Sequence, residues 1–310
     1  MGIVVAGSTG LVGSALVRAF EKAGKTVIGI NRQVVDLQDR NATIDFFREI
    51  KPNFVIDAAA KVGGIGASNS NPVEFLVQNV QIQNNLMEAA HLTQVKKFVF
   101  LGSGCAYPRD GAQPLKEEYF MTGPLEKSNS AFAVAKIAGI ELINSYKKEY
   151  GYDWFSLMPT NIYGPADNFD LETSHLIPAL IRRFLEASEL GLPSVTLWGT
   201  GSPLRDFLHA DDLASAIMVS LDEAWDFELL NIGSGTEIKV LDIARVVAEA
   251  VGFHGEVFWD SSRPNGTPRK ILDSSRINAL GWSPQISLED GIRNTIDWYR
   301  EHRSLDARTT

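Results

Sequence analysis

A short apolar strand followed at once by three evenly spaced glycines constrains this chain more than any other stretch. Ile3, Val4, Val5 and Ala6 suit a strand buried on both faces. Gly7, Gly10 and Gly13 follow, with Ser8, Thr9, Leu11 and Val12 between them. From Leu11 the apolar residues Leu11, Ala15, Leu16, Ala19 and Phe20 recur at helical spacing, and Gly24 marks the stop. The first N–H groups of such a helix lack partners and carry partial positive charge, so an anion can lie against them. Glycine lets the backbone approach that anion without a Cβ in the way. An ordinary tight turn also uses glycines, but here a strand precedes, a helix follows and a second strand comes at Thr26–Ile30. In that context the seven residues Gly7 to Gly13 read as a dinucleotide pyrophosphate site.

The alternation continues. Asp39 reads as a helix N-cap, and Phe54–Asp57 as a third strand before the small residues Ala58, Ala59 and Ala60. Pro72 opens a long helix with apolar residues on more than one face, which needs two partners: the sheet and a second surface. Lys97–Leu101 is a strand, about 129–150 a helix, and Trp154–Met158 a strand. Repeated strand–helix units predict an α/β fold: a Rossmann-like doubly wound parallel sheet. From about Tyr163 the rhythm shifts to Pro and Gly turns. The expected division is a dinucleotide-binding domain over 1–165, to which 205–235 returns, and a smaller α/β substrate domain over 166–204 and 236–310. Within the latter, Leu176–Glu189, Val240–Val251 and Leu288–Glu301 read as helices, the last on the surface with a frayed tail from Arg303, while Asp211–Glu223 reads as a helix of the segment that returns to the first domain.

A net charge of -9 with no basic stripe argues against nucleic acid. One cysteine, Cys105, excludes an intrachain disulfide and suggests a reducing, cytoplasmic setting. No apolar run approaches the ~20 residues of a spanning helix, and no metal-ligand cluster is visible.

Asn31-Arg32 closes the second strand where NAD-preferring sites carry an acidic residue for the ribose 2′-OH. Arg32 there favours a 2′-phosphate and hence NADP(H), with a solvated surface charge as the plain alternative. Asp36 and Leu37 lie within reach of an adenine edge. After the strand Lys97–Leu101, Ser103 can hydrogen-bond a substrate oxygen. Cys105 there suits either proton transfer or the role of a small buried hydrophobe. Lys136 lies in an apolar helix four residues after Phe132, on the same face.

Taken together, Ala6–Gly13, Lys61–Ile65, Gly102–Pro108, Ala133–Gly139, Pro159–Pro165, Ser174–Leu180, Phe207–His209 and Gly266–Lys270 resemble the extended short-chain dehydrogenase/reductases. Within them, the chain is similar to the GDP-L-fucose synthase family over almost its whole length. The resemblance implies an NADPH-dependent 3,5-epimerase and 4-reductase acting on GDP-4-keto-6-deoxy-D-mannose, and a homodimer built from two long helices. It places Ser103 and Lys136 in catalysis and makes Cys105 and His175 an epimerisation pair. Their reference pKa values, ~8.5 and ~6.5, lie on either side of neutrality. It assigns cofactor contacts to Ala59, Lys136, Pro159, Asn161 and His175, besides Arg32, Asp36, Leu37 and the Gly turn. Substrate contacts fall on Ser103, Asn161, Arg183, Trp198, Arg205 and Lys270. Phe132 stands where the family has its catalytic Tyr, so slow reduction is expected. Gly104 stands where the family often has Ser. The alternatives are a related colitose-type epimerase/reductase and a non-catalytic NADP-binding protein.

Overall fold

The structure, a computed structural model, describes residues 2–222, 227–263 and 265–306. Its first part alternates β1 (Ile3–Ala6), α1 (Leu11–Lys22), β2 (Val27–Ile30), α2 (Arg40–Ile50), β3 (Phe54–Asp57), α3 (Ile65–Ser70), α4 (Pro72–Leu92), β4 (Lys97–Leu101), α5 (Ser130–Tyr150) and β5 (Asp153–Pro159). Then follow β6 (Asn161–Tyr163), α6 (Leu176–Glu189), β7 (Ser194–Trp198), β8 (Leu204–His209), α7 (Ala210–Asp222) and β9 (Leu229–Ile232). The last elements are β10 (Glu237–Lys239), α8 (Val240–Val251), β11 (Glu256–Asp260), β12 (Arg269–Lys270), α9 (Ser275–Asn278) and α10 (Leu288–Asp306).

Six strands form one parallel sheet in the order β2-β1-β3-β4-β5-β9. Period-two alternation splits their side chains between two cores. Val4, Val55, Phe98, Phe100 and Trp154 face one side, under α2, α4 and α5; Val5, Ile56, Val99, Phe155 and Leu157 face the other, against α1 and α7. Each fully buried side chain of this size contributes about 1.5–3 kcal/mol. The chain leaves β1 for β2 on one side and returns to β3 on the other, so a crevice opens at the carboxyl ends of β1 and β3.

Local signals set the helix ends. Asp39 caps α2 by accepting from Ala42 N at 3.0 Å, Pro72 occupies the first turn of α4, and Gly252 ends α8 at φ 79°. Helices α4 and α5 pack on one another, α4 over β3 and α5 over β4. Gly139 permits this approach, since a Cβ there would overlap the Phe100 ring. The outer faces of α4 and α5 leave Val73, Val77 and Val134 exposed.

A second sheet joins β8 antiparallel to β10 and parallel to β12 and β6, while β7 and β11 pair separately. Strands β6 and β8, from segments expected in the dinucleotide-binding domain, thus lie outside the six-stranded sheet and pair with each other. Thr160 N makes a bond to Ile232 O of the large sheet, whereas Asn161 Nδ2 already donates to Asp206 O of β8. The chain crosses between sheets at that one peptide.

A third core gathers Ile177, Ile181 and Phe184 of α6, Ile243 and Val247 of α8, and Ile292 and Ile296 of α10. Helix α10 therefore buries a face rather than lying loose. It also continues past Arg303 to Asp306, because Arg303 pairs with Glu189 at the end of α6. Glu223, the expected end of α7, and 307–310 of the expected tail lie outside the described residues. No helix among the described residues is long and apolar enough to cross a membrane.

Gly139→Ala is expected to lower stability by about 1–3 kcal/mol through overpacking against Phe100, read as a reduced urea midpoint at unchanged m-value.

Candidate active site

The turn between β1 and α1 is a cradle that side chains would fill. Gly7 has φ 76°, and a Cβ on it would meet Ala58 O at 2.7 Å. A Cβ on Gly13 would overlap the Gly7 carbonyl oxygen, and one on Gly29 would lie 2.8 Å from Ser8 Cβ. The loop is held by Gly7 N and Ser8 N donating to Ile30 O and by Gly10 N donating to Gly7 O. No side chain caps α1 at Gly10, so its first N–H groups face the crevice free of a protein acceptor. Thr9 and Gly10 are exposed, as is Arg32 just beyond β2. Asp36 is engaged locally, accepting from Gln38 N at 3.0 Å, and Leu37 is buried in the core beside it. Ala59 lies partly open at the end of β3. Bare backbone, free N–H donors and a nearby guanidinium fit a phosphorylated dinucleotide.

Beside this cradle, at the carboxyl end of β4, a deep cavity collects Ser103, Cys105, Phe132, Asn161, His175, Arg205 and Lys270. Ser103 caps the single turn Gly104–Ala106, and Cys105 Sγ donates to Ser103 Oγ at 3.2 Å. A Cβ on Gly104 would lie only 3.2 Å from Lys270 Cε, so the glycine makes room for that side chain beside Cys105. His175 stands at the start of α6, on a loop tied back by Gly64 N donating to Thr173 O at 2.8 Å. The residue is exposed toward the cavity. The protein packed around the ring, and then the Lys270 ammonium, hold its pKa below the ordinary 6.5, which favours the neutral imidazole at pH 7.

Strand pairing builds the cationic wall. In the β8–β12 register Arg205 stands opposite Lys270, and burial lowers the pKa of both. Neither has a carboxylate within ion-pair distance among the described residues. Two unpaired cations side by side in a partly dry cavity call for an anion. No group of residues suited to a metal ion is found among the described residues.

Lys136 lies behind this surface rather than on it. Its Nζ donates to Leu101 O at 2.8 Å, 4.7 Å from the Phe100 ring centroid and 5.9 Å from that of Phe132. Phe132 itself packs edge-on against Phe75. Asn161 lines the cavity although its amide is engaged with Asp206 O, and Pro159 ends β5 nearby in sequence.

Two expected substrate contacts stay outside the lining. Arg183 sits two turns into α6, about 12 Å along the axis from His175 at 1.5 Å per residue. Trp198 ends β7, half-exposed, with the Arg263 guanidinium 5.0 Å from its ring.

Sequence reading passed over Glu126 and Asp57. Glu126 lines the cavity, 3.4 Å from Arg109, and nothing local marked it. Asp57 is fully buried at the end of β3, and burial pushes its carboxyl up to about 6 against the opposing pull of Lys136. A charge closing an otherwise apolar strand was the available signal.

Comparison with known proteins agrees with this geometry. Residues 3–233 match the model of the NAD dependent epimerase/dehydratase family. The chain is 49% identical over 298 residues to GDP-L-fucose synthase 1 of Arabidopsis thaliana, covering 96% of this chain and 92% of the relative. It is 44% identical over 311 residues to GDP-L-fucose synthase of Escherichia coli (strain K12), covering 97% of each. Among solved structures, a GDP-mannoheptose C4 reductase from Campylobacter jejuni with NADP bound superposes at a TM-score of 0.87, with 35% identity over 96% of this chain and 98% of that one. The chain belongs to the NAD-dependent epimerase/dehydratase family, and within it to the group of the GDP-L-fucose synthases.

Proposed function

We propose that this chain is an NADP(H)-dependent epimerase and 4-ketoreductase that converts GDP-4-keto-6-deoxy-D-mannose to GDP-L-fucose, with the reduction slowed by Phe132. The observation that carries the reading is a single cavity in which Cys105 and His175 open beside Ser103, the ring of Phe132 and the paired cations Arg205 and Lys270. The names of the two relatives and the NADP-bound structural neighbour support the substrate class and the cofactor.

The residues divide the work. The turn Gly7–Gly13 holds the cofactor pyrophosphate on its free N–H groups, and Arg32 meets the 2′-phosphate. Bound NADPH supplies hydride to C4 of the sugar. Arg205 and Lys270 neutralise the diphosphate of the sugar nucleotide, which a chain of net charge -9 needs done locally. Arg183 and Trp198 belong to the same reading only if the bound nucleotide extends past the cavity toward α6 and β7.

The C4 carbonyl acidifies the C–H bonds at C3 and C5. One group takes a proton there and another returns it to the opposite face of the enolate. Cys105 and His175 supply the pair: the imidazole is neutral and able to accept, and the thiol already shares its proton with Ser103 Oγ. Ser103 then hydrogen-bonds the C4 oxygen during reduction, while Lys136 supports the cofactor ribose from behind. A phenol at 132 would protonate that oxygen; the phenyl ring keeps the shape and lacks the proton. A second copy of the chain covers the exposed valines on α4 and α5, giving a homodimer.

Two measurements test this reading. Following NADPH oxidation with GDP-4-keto-6-deoxy-D-mannose, Phe132→Tyr is expected to raise the rate about 10²–10⁴-fold, the worth of a positioned general acid. A Tyr form that binds both ligands and stays inactive would refute the assignment. Solvent deuterium uptake at C3 and C5 is expected in the unaltered chain, and Cys105→Ala or His175→Asn should each cut it by about 10²-fold or more. Uptake untouched by either change removes both residues from the epimerisation.

A further inference from the structure

Asp57 has no place in the mechanism above, yet it is among the most costly residues in the fold. It closes β3 directly opposite Phe100 of β4 and is fully buried. Alternation places it with Val55, on the face covered by α4 and α5. Its Oδ1 accepts from Ala59 N at 3.1 Å, and its Oδ2 has no partner. From α5 the Lys136 ammonium approaches the ring of Phe100, the cross-strand neighbour of Asp57, to 4.7 Å from its centroid; the two charges flank that ring without a direct ion pair, and each feels the field of the other. The other groups there are Gln83 of α4, neutral, with its amide given to Ala135 O, and Cys105 of the Gly104–Ala106 turn. A buried ammonium without a counter-charge gives up its proton or its place.

We propose that Asp57 is a positioning residue, the counter-charge that keeps the Lys136 ammonium charged and held at the Leu101 carbonyl, ready for the ribose of the cofactor. The inference rests on the reading that Lys136 serves the cofactor. Burial drives Lys136 toward its neutral form, and the pull in the other direction comes first from Asp57 and then from Cys105. Asp57, pushed up to about 6, is ionised at neutral pH and above, where this support is needed. With Phe at 132 no phenol shares in the arrangement, so the carboxylate carries the larger part of the support, with Cys105 second.

The experiment is NADPH binding to the unaltered apoprotein, followed by cofactor fluorescence from pH 6 to 10 without sugar nucleotide. Affinity is expected to fall at alkaline pH as Lys136 loses its proton. Asp57→Asn, which keeps the acceptor for Ala59 N, should move that fall down by at least one pH unit. Lys136→Met should abolish it. A purely structural Asp57 would weaken binding equally at all pH values, and an unmoved midpoint overturns the inference. A fall that persists in Lys136→Met also overturns it. If Asp57→Asn fails to fold, the double change Asp57→Asn with Lys136→Met decides: recovery of folding supports the pair, and failure overturns it. An unmoved midpoint together with turnover by Phe132→Tyr refutes only the role of Asp57, whereas absence of NADPH binding in the unaltered chain refutes the functional reading as well.

Discussion

Helix α1 can begin where it does only because Gly13 lies against the carbonyl of Gly7 with no side chain between them. That contact brings the helix N-terminus to the carboxyl end of β1, the point where the sheet reverses its direction of growth. The free N–H groups of α1, the small residues after β3 and the turn after β4 then share one crevice. A methyl group on Gly13 would push the helix away and separate these parts. Much of the architecture is repeatable hydrophobic packing; this approach of backbone to backbone is what gives the packing a site.

The site concentrates charge that the rest of the surface does not advertise. An acidic chain places Arg205 and Lys270 on paired strands with no carboxylate within ion-pair distance among the described residues, at a cost in desolvation that an anionic ligand would offset. The same Lys270 ammonium biases His175 toward its neutral form. In the proposed reading one cation therefore has two tasks, holding an anion and, together with burial, setting the protonation of a neighbouring imidazole. Gly104 makes this possible by leaving space for the Lys270 stem.

Behind the cavity the chemistry is quieter. The phenyl ring of Phe132 preserves the wall and leaves Lys136 without a hydroxyl to act on. The lysine instead rests on a backbone carbonyl, an aromatic face and the field of Asp57. Buried ionisable groups of this kind are expensive unless compensated, which is why the two are most simply understood together.

Much of this was written into local sequence. The Gly turn, the cap at Asp39, Pro72, and the bounds of β4, α6 and α8 follow from periodicity and end signals, because those depend on residues a few positions apart. Its place after β4 also marked Cys105 as a residue to watch, whereas His175 was marked by the family resemblance. Only the tertiary structure paired Arg205 with Lys270, set Asp57 near Lys136, moved β6 and β8 into a second sheet, anchored α10 beyond Arg303 and left Arg183 and Trp198 off the cavity wall. Each of these outcomes joins segments far apart in the chain. Which distant strands pair, and which charges meet, is decided by how whole faces are buried together, and that competition leaves no mark within a few residues of any one of them.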